Sequence, residues 1–148
     1  MKIYLVQHGN QNPEEVDPNE GLSDKGNSDV EKVAEFLART NIKPSKIFHS
    51  VKLRAKQTAE IFSDKFGSEI EEKEGLKPMD DVALWVQKLE DGLMLVGHLP
   101  FMQKLSSLLI CANSEKPAVN FHQGGVVCMV RDEEKQWKID FMITPGLL

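Results

Sequence analysis

Short apolar runs alternate with stretches of helical period along this chain of 148 residues. Residues 2–6, with the β-favouring Ile3, Tyr4 and Val6, read as a strand. Residues 10–21 are rich in Asn, Pro, Asp and Glu and mark a surface loop. Ser23 is placed to cap a helix running to about Thr40, because Val30, Val33, Ala34 and Leu37 recur at helical spacing. Pro44 ends the connection, and residues 46–49 form a second strand. Ser50 is then expected to cap a helix over about 51–66 with Ala55, Ala59, Phe62 and Phe66 on one face, closed by Gly67.

Residues 69–73 read as a short edge strand. Pro78 with Asp80 or Asp81 opens a third helix through Leu84, Val86 and Leu89, and Gly92 stops it. The unbroken apolar run 93–96 is that of a strand buried on both faces. Pro100 suits the first turn of a fourth helix carrying Leu105, Leu108 and Leu109. Residues 125–130 and 136–143 form a hairpin with Asp132, Glu133 and Glu134 at its turn. This alternation predicts a three-layer α/β/α sandwich with a largely parallel central sheet and antiparallel strands near the C-terminus. No repeat or linker interrupts it, so one domain over 1–148 is expected.

Composition narrows the function classes. The chain is 41% hydrophobic and 28% charged, as in an ordinary globular protein. A net charge of −5 and the lack of any Lys/Arg block argue against a nucleic-acid-binding face. No apolar run reaches membrane-spanning length. The first strand begins at Met1, leaving no room for a signal peptide, so a cytoplasmic protein and a monomer are the expectations. Cys111 and Cys128 lie in apolar stretches without metal or redox spacing, as buried free thiols would.

Candidate chemistry lies at turns. His8 ends the first strand, where open α/β folds place their sites. A neutral imidazole attacks phosphorus well if one nitrogen is bare and the other's proton is held by a fixed acceptor, which a tight turn at Gly9 would supply. Arg54 falls in the first turn of its helix, where free N–H groups and the dipole favour an anion and a guanidinium forks onto two phosphate oxygens. His98 follows the buried strand and would support charge developing on a transferring phosphoryl group. Each alone has a bland reading, as a strand-end histidine, a solvated arginine or a turn histidine. Their joint placement after strands is more specific than any one.

The blocks that hold these residues resemble those of the histidine phosphatase superfamily, also called phosphoglycerate mutase-like. Its small phosphohistidine phosphatase branch is the most similar. Leu5-Val6-Gln7-His8-Gly9 matches two of the three core positions of the family's Arg-His-Gly motif. Leu22-Ser23-Asp24-Lys25-Gly26 is similar to its Leu-Thr-x-x-Gly block. Residues 50–60 resemble Ser-Pro-x-x-Arg-Ala-x-Gln-Thr-Ala, with Val51 in place of proline, and residues 96–100 resemble Gly-His-x-Pro. The resemblance implies that His8 is phosphorylated, that Arg54 and Ser50 belong to the phosphate-binding block, and that His98 stabilises the transferring group. It implies no metal and no other cofactor, in keeping with histidines and cysteines that lack ligand spacing.

Gln7 departs from that pattern, standing where the family has a phosphate-binding arginine. It keeps a hydrogen-bond donor but brings no charge. Fewer cations should leave protonated His98 easier to maintain. His49 and Lys52 are candidate compensating groups. Asp80 and Asp81 are candidate general acids, although capping explains an aspartate there equally well. Asp17-Pro18-Asn19-Glu20-Gly21 looks like a calcium loop but has Ser28 where a bidentate glutamate is needed, so it reads as a polar loop near the pocket mouth. The expectation is a metal-independent phosphatase acting through a phosphohistidine on His8. Its partner would be a phosphorylated protein, such as a histidine-containing phosphotransfer domain, or a small phosphate ester. The alternative is a module that binds a phosphorylated partner with little or no turnover.

Overall fold

The two most apolar runs, Lys2–Gln7 (β1) and Leu93–Gly97 (β4), pair in parallel at the centre of the sheet, where both faces are covered and such sequences belong. The computed structural model describes residues 1–148. Four further strands complete one sheet: β2 (Lys46–His49), β3 (Glu69–Glu72), β5 (Val126–Arg131) and β6 (Trp137–Ile143). Their order is β3-β2-β4-β1-β5-β6. The first four strands in that order are parallel. β5 runs antiparallel to β1, and β6 antiparallel to β5 with an irregularity at Cys128 and Met129. Strand β3, Glu-Ile-Glu-Glu, is the charged edge strand, a composition that discourages further pairing.

Period-two alternation splits the sheet's side chains between two cores. Tyr4, Val6, Ile47, Met94 and Val96 join Val30, Val33, Ala34 and Leu37 of α1 (Asp24–Ala38) and Ala55, Ala59, Phe62 and Phe66 of α2 (Leu53–Phe66). Ile3, Leu5, Leu93 and Leu95 join Phe101, Met102 and Leu105 of α3 (Phe101–Cys111) on the other face. The expected three-layer α/β/α sandwich is what forms. Ser23 caps α1 as its sequence predicts, its hydroxyl accepting from the Gly26 N–H at 3.0 Å. No helix is long and apolar enough to cross a membrane.

Four local expectations need correction. Ser50 does not cap α2: the N-cap is Lys52, without a side-chain cap bond, and Ser50, two residues earlier, reaches only the Lys52 N–H at 3.4 Å while its Oγ lies 2.8 Å from His98 Nε2. The third helix is a 3-10 turn over Val82–Lys88, capped by Asp81. Its three-residue repeat buries Val82 and Trp85, leaving Leu84 63% exposed. Pro100 stands at the N-cap of α3, just before the helix rather than within its first turn. Cys128 is buried, whereas Cys111, at the end of α3, is only half-buried; both are free thiols.

Candidate active site

Strands β2, β4 and β1 are neighbours and parallel, so their C-terminal ends lie side by side. Each ends in chemistry: His49 closes β2 with Ser50 after it, His98 follows β4, and His8 follows β1. Backbone bonds lock the ends together, His8 N–H donating to Gly97 O at 2.9 Å and Ser50 N–H to Val96 O at 3.0 Å.

His8 is buried, and its Nδ1 lies 2.7 Å from the carbonyl oxygen of Gly9. A carbonyl only accepts, so the proton sits on Nδ1 and the Nε2 lone pair is bare. That lone pair meets the Nε–H of Arg54 at 3.3 Å. Burial holds the His8 imidazole down at about 4, below its ordinary 6.5; the Gly9 bond opposes this and the Arg54 charge reinforces it. The group is therefore a neutral imidazole with a bare nitrogen at neutral pH.

Gly9 is required here for close packing, because a Cβ would fall 2.8 Å from Val30 Cγ2 of α1. The turn needs no left-handed φ at this glycine, contrary to the simplest reading of His-Gly. Gly9 N–H donates to Thr58 Oγ1 at 3.0 Å, and the Thr58 hydroxyl donates to the Arg54 carbonyl at 2.7 Å. Thr58 thus ties the His8 turn to the helix that carries the guanidinium. Gln57 ties the same helix to the preceding loop, its Oε1 accepting from Leu22 N–H at 2.7 Å. Both residues lie in the Gln-Thr-Ala block, which was the signal that could have found them.

The His98 ring centroid lies 5.0 Å from that of His8, with the planes inclined by 59°. Its Nε2 is 2.8 Å from Ser50 Oγ, a contact shut away from solvent. Its Nδ1 is buried and has no partner within the protein. When Ser50 donates to Nε2, the ring proton is on Nδ1, which no protein acceptor engages. Burial, with the charges of His8, Arg54 and Lys52 behind it, drives His98 down to about 3. The expectation of a readily protonated His98 fails for this reason. Desolvation outweighs the loss of one cation at position 7, and the ring offers an N–H in place of a positive charge.

Arg54 is mostly buried, and its Nη1 lies 3.4 Å from Glu20 Oε2. Glu20 belongs to the loop that resembled a calcium site. Asp17 organises that loop, its carboxylate accepting from Asn19 N–H at 3.0 Å and Gly21 N–H at 2.9 Å. Nothing in the local sequence signalled the Glu20 contact, which spans 34 residues.

His8, His98, Arg54 and Ser50 converge. Lys52 stands at the start of α2, close enough for its charge to act on His98. The other candidates are placed differently. Gln7 lines a polar groove of about 620 Å³ with Leu99, His122 and Gln123, and its Oε1 is buried without a partner. His49 is buried, with Nδ1 2.9 Å from Ser50 O, and forms no hydrogen bond with the other imidazoles. Asp80 Oδ2 accepts from Lys77 N–H at 2.8 Å and Asp81 Oδ1 from Ala83 N–H at 2.9 Å, so both carboxylates hold backbone turns. No group of three or more His, Cys, Asp or Glu side chains is arranged to hold a metal ion.

A bare imidazole nitrogen, a guanidinium and a second imidazole around one point is an arrangement suited to accepting a phosphoryl group on nitrogen. Comparison with known proteins bears on this. The histidine phosphatase superfamily (branch 1) profile matches residues 3–90. The structure of the protein histidine phosphatase SixA complexed with tungstate superposes with a TM-score of 0.85 at 22% identity, covering 99% of each chain. The putative phosphohistidine phosphatase SixA from Agrobacterium tumefaciens gives 0.77 at 23% identity over 97% of each chain. A phosphoserine phosphatase from Entamoeba histolytica, in complex with 3-phosphoglyceric acid, gives 0.72 at 17% identity over 99% of each. No curated protein matches the chain by sequence.

Proposed function

The chain belongs to branch 1 of the histidine phosphatase superfamily, and on that footing we propose that it removes phosphate from protein phosphohistidine through a covalent intermediate on His8. One observation carries the reading: His8 Nδ1 is bonded to Gly9 O while its Nε2 faces the Arg54 guanidinium. Nε2 attacks phosphorus in line, forming an N–P bond as the bond to the departing imidazole breaks, and that imidazole takes a proton from solvent. Arg54 and the Nδ1–H of His98 bear the charge on the equatorial oxygens. Water then attacks phosphorus, the bond to His8 breaks and its lone pair returns; orthophosphate leaves with the water's hydroxyl, and the water's other proton passes to a phosphate oxygen. An imidazole leaving group demands little protonation, which suits a site whose candidate acids Asp80 and Asp81 are occupied by backbone N–H groups. Among partners, a histidine-containing phosphotransfer domain fits better than a small phosphate ester.

A second reading, a module that binds a phosphorylated partner with little turnover, is favoured by the neutral Gln7 and by Glu20 lying against Arg54. Trapping separates the two. Incubation with labelled phosphoramidate followed by an alkaline quench is expected to leave an acid-labile adduct on His8 that is absent from His8→Ala. Saturable binding of a phosphohistidine peptide with no adduct would favour the binding module.

A further inference from the structure

The loop that carries Glu20 is built to present it. Glu20 adopts φ 48°, in the left-handed region that a residue with a Cβ adopts at a cost. Asp17 clasps the loop on both sides of it, and Gln57 of α2 anchors the next turn at Leu22. The carboxylate so placed meets the guanidinium whose Nε already faces the nucleophile. It also lines an open pocket of about 480 Å³ with Lys52, Leu53 and Arg54 at the start of α2.

Resting on the reading that Arg54 binds the phosphoryl group, we propose that Glu20 is an internal competitor for Arg54 that sets the site's affinity for phosphate. A phosphoryl group that uses the Arg54 fork must displace this carboxylate or bind against its charge. The charged side chains of that pocket are Arg54, Lys52 and Glu20, so removing the carboxylate raises their sum from +1 to +2. Two like unit charges about 6 Å apart, at an effective dielectric near 40, change an equilibrium constant roughly ten-fold. Free phosphate and small esters are therefore held weakly, and product leaves easily. A phosphoryl group borne on a protein gains contacts outside the pocket and is selected by them.

The test uses the full chain and inorganic phosphate as the probe, with binding measured by calorimetry at low salt. Glu20→Gln and Glu20→Ala are both expected to bind phosphate roughly ten-fold more tightly. KM for p-nitrophenyl phosphate should fall with them, and kcat should change less. Unchanged or weaker phosphate binding in variants that melt cooperatively would overturn the proposal and leave Glu20 as a strut for Arg54. A large loss of kcat at unaltered phosphate affinity would overturn it too, making the carboxylate a proton-transfer group. Arg54→Ala tests the underlying reading separately. If the native chain binds phosphate no better than that variant, the phosphate pocket itself is misplaced, whatever Glu20 does.

Discussion

Replacing Gln7 with arginine should raise phosphatase activity. Gln7 Oε1 is buried without a partner, and a buried acceptor in that state costs about 1–3 kcal/mol. Arginine has no acceptor, so the substitution removes that penalty. The groove of about 620 Å³ beside residue 7 has room for the longer side chain. The family block that this segment resembles has a phosphate-binding arginine at this position, and on that ground a guanidinium here is expected to reach a phosphoryl oxygen held on His8. A charge-assisted bond contributes about 1.5–3 kcal/mol, and spent in the transition state it accelerates turnover roughly ten- to hundred-fold. The added cation has an opposing effect while the site is empty. For two guanidiniums about 8 Å apart at an effective dielectric near 40, repulsion costs about 1 kcal/mol. Gln7→Arg should therefore melt near the native temperature without phosphate and be stabilised more strongly by it. Initial rates with phosphoramidate and p-nitrophenyl phosphate at neutral pH, with melting curves at several phosphate concentrations, measure both effects. Equal kcat/KM and an equal phosphate-induced shift in the two folded proteins would refute the placement of residue 7 at the phosphoryl site.

Two further outcomes follow from the histidine environments. Ser50→Ala removes the hydroxyl that fixes the His98 tautomer, so kcat should fall about ten-fold or more with KM little changed, and Ser50→Thr should restore much of it; steady-state kinetics of the three proteins check this. Stability should fall with acidification, because the folded pKa values of about 4 for His8 and about 3 for His98 lie below the unfolded 6.5. Between pH 6.5 and those values the unfolded chain binds more protons, so stability rises with pH across that window. Going from about pH 7 to 5 should cost about 2 kcal/mol for each histidine, and denaturant unfolding should show a flatter profile in a His8→Asn, His98→Asn double variant.

Legibility in the sequence tracked periodicity and caps. The stripes of α1 and α2 were readable because Val30, Val33, Ala34 and Leu37, and Ala55, Ala59, Phe62 and Phe66, repeat at the helical period and are buried. The apolar runs of β1 and β4 marked the central strands, and with them the ends that bring His8 and His98 together. The 3-10 turn was hidden because Leu84, Val86 and Leu89 imitate an α stripe, while its three-residue repeat buries Val82 and Trp85. Ser50 does not cap because the helix begins later than the sequence suggests, at Leu53, leaving the Ser50 Oγ the Lys52 N–H alone. Its contact with His98 comes from the end of β4, far along the chain and beyond any local pattern. Glu20 was invisible for a stronger reason: its contact crosses from an aperiodic loop to a helix, and no local pattern encodes that distance.

His8 and His49 show how little the local backbone decides. Both end parallel strands of one sheet, both are buried, and both set Nδ1 against the carbonyl of the following residue, at 2.7 and 2.9 Å. That anchoring fixes a tautomer and leaves a lone pair on Nε2, which is half of what a nucleophile needs. The other half is an electrophile held in front of that lone pair, and only His8 has the means. Its Nε2 faces Arg54, and its ring stands beside His98 with an unpartnered nitrogen. Strand order does not make the difference, since β1 and β2 both flank β4, whose end carries the second imidazole. Helix α2 does: Thr58 hangs the His8 turn from it, and its Arg54 guanidinium meets the His8 lone pair. A histidine-glycine pair becomes a candidate phosphoryl acceptor through the contacts that surround it. The same two residues at another strand end would be a hydrogen-bonded turn and nothing more.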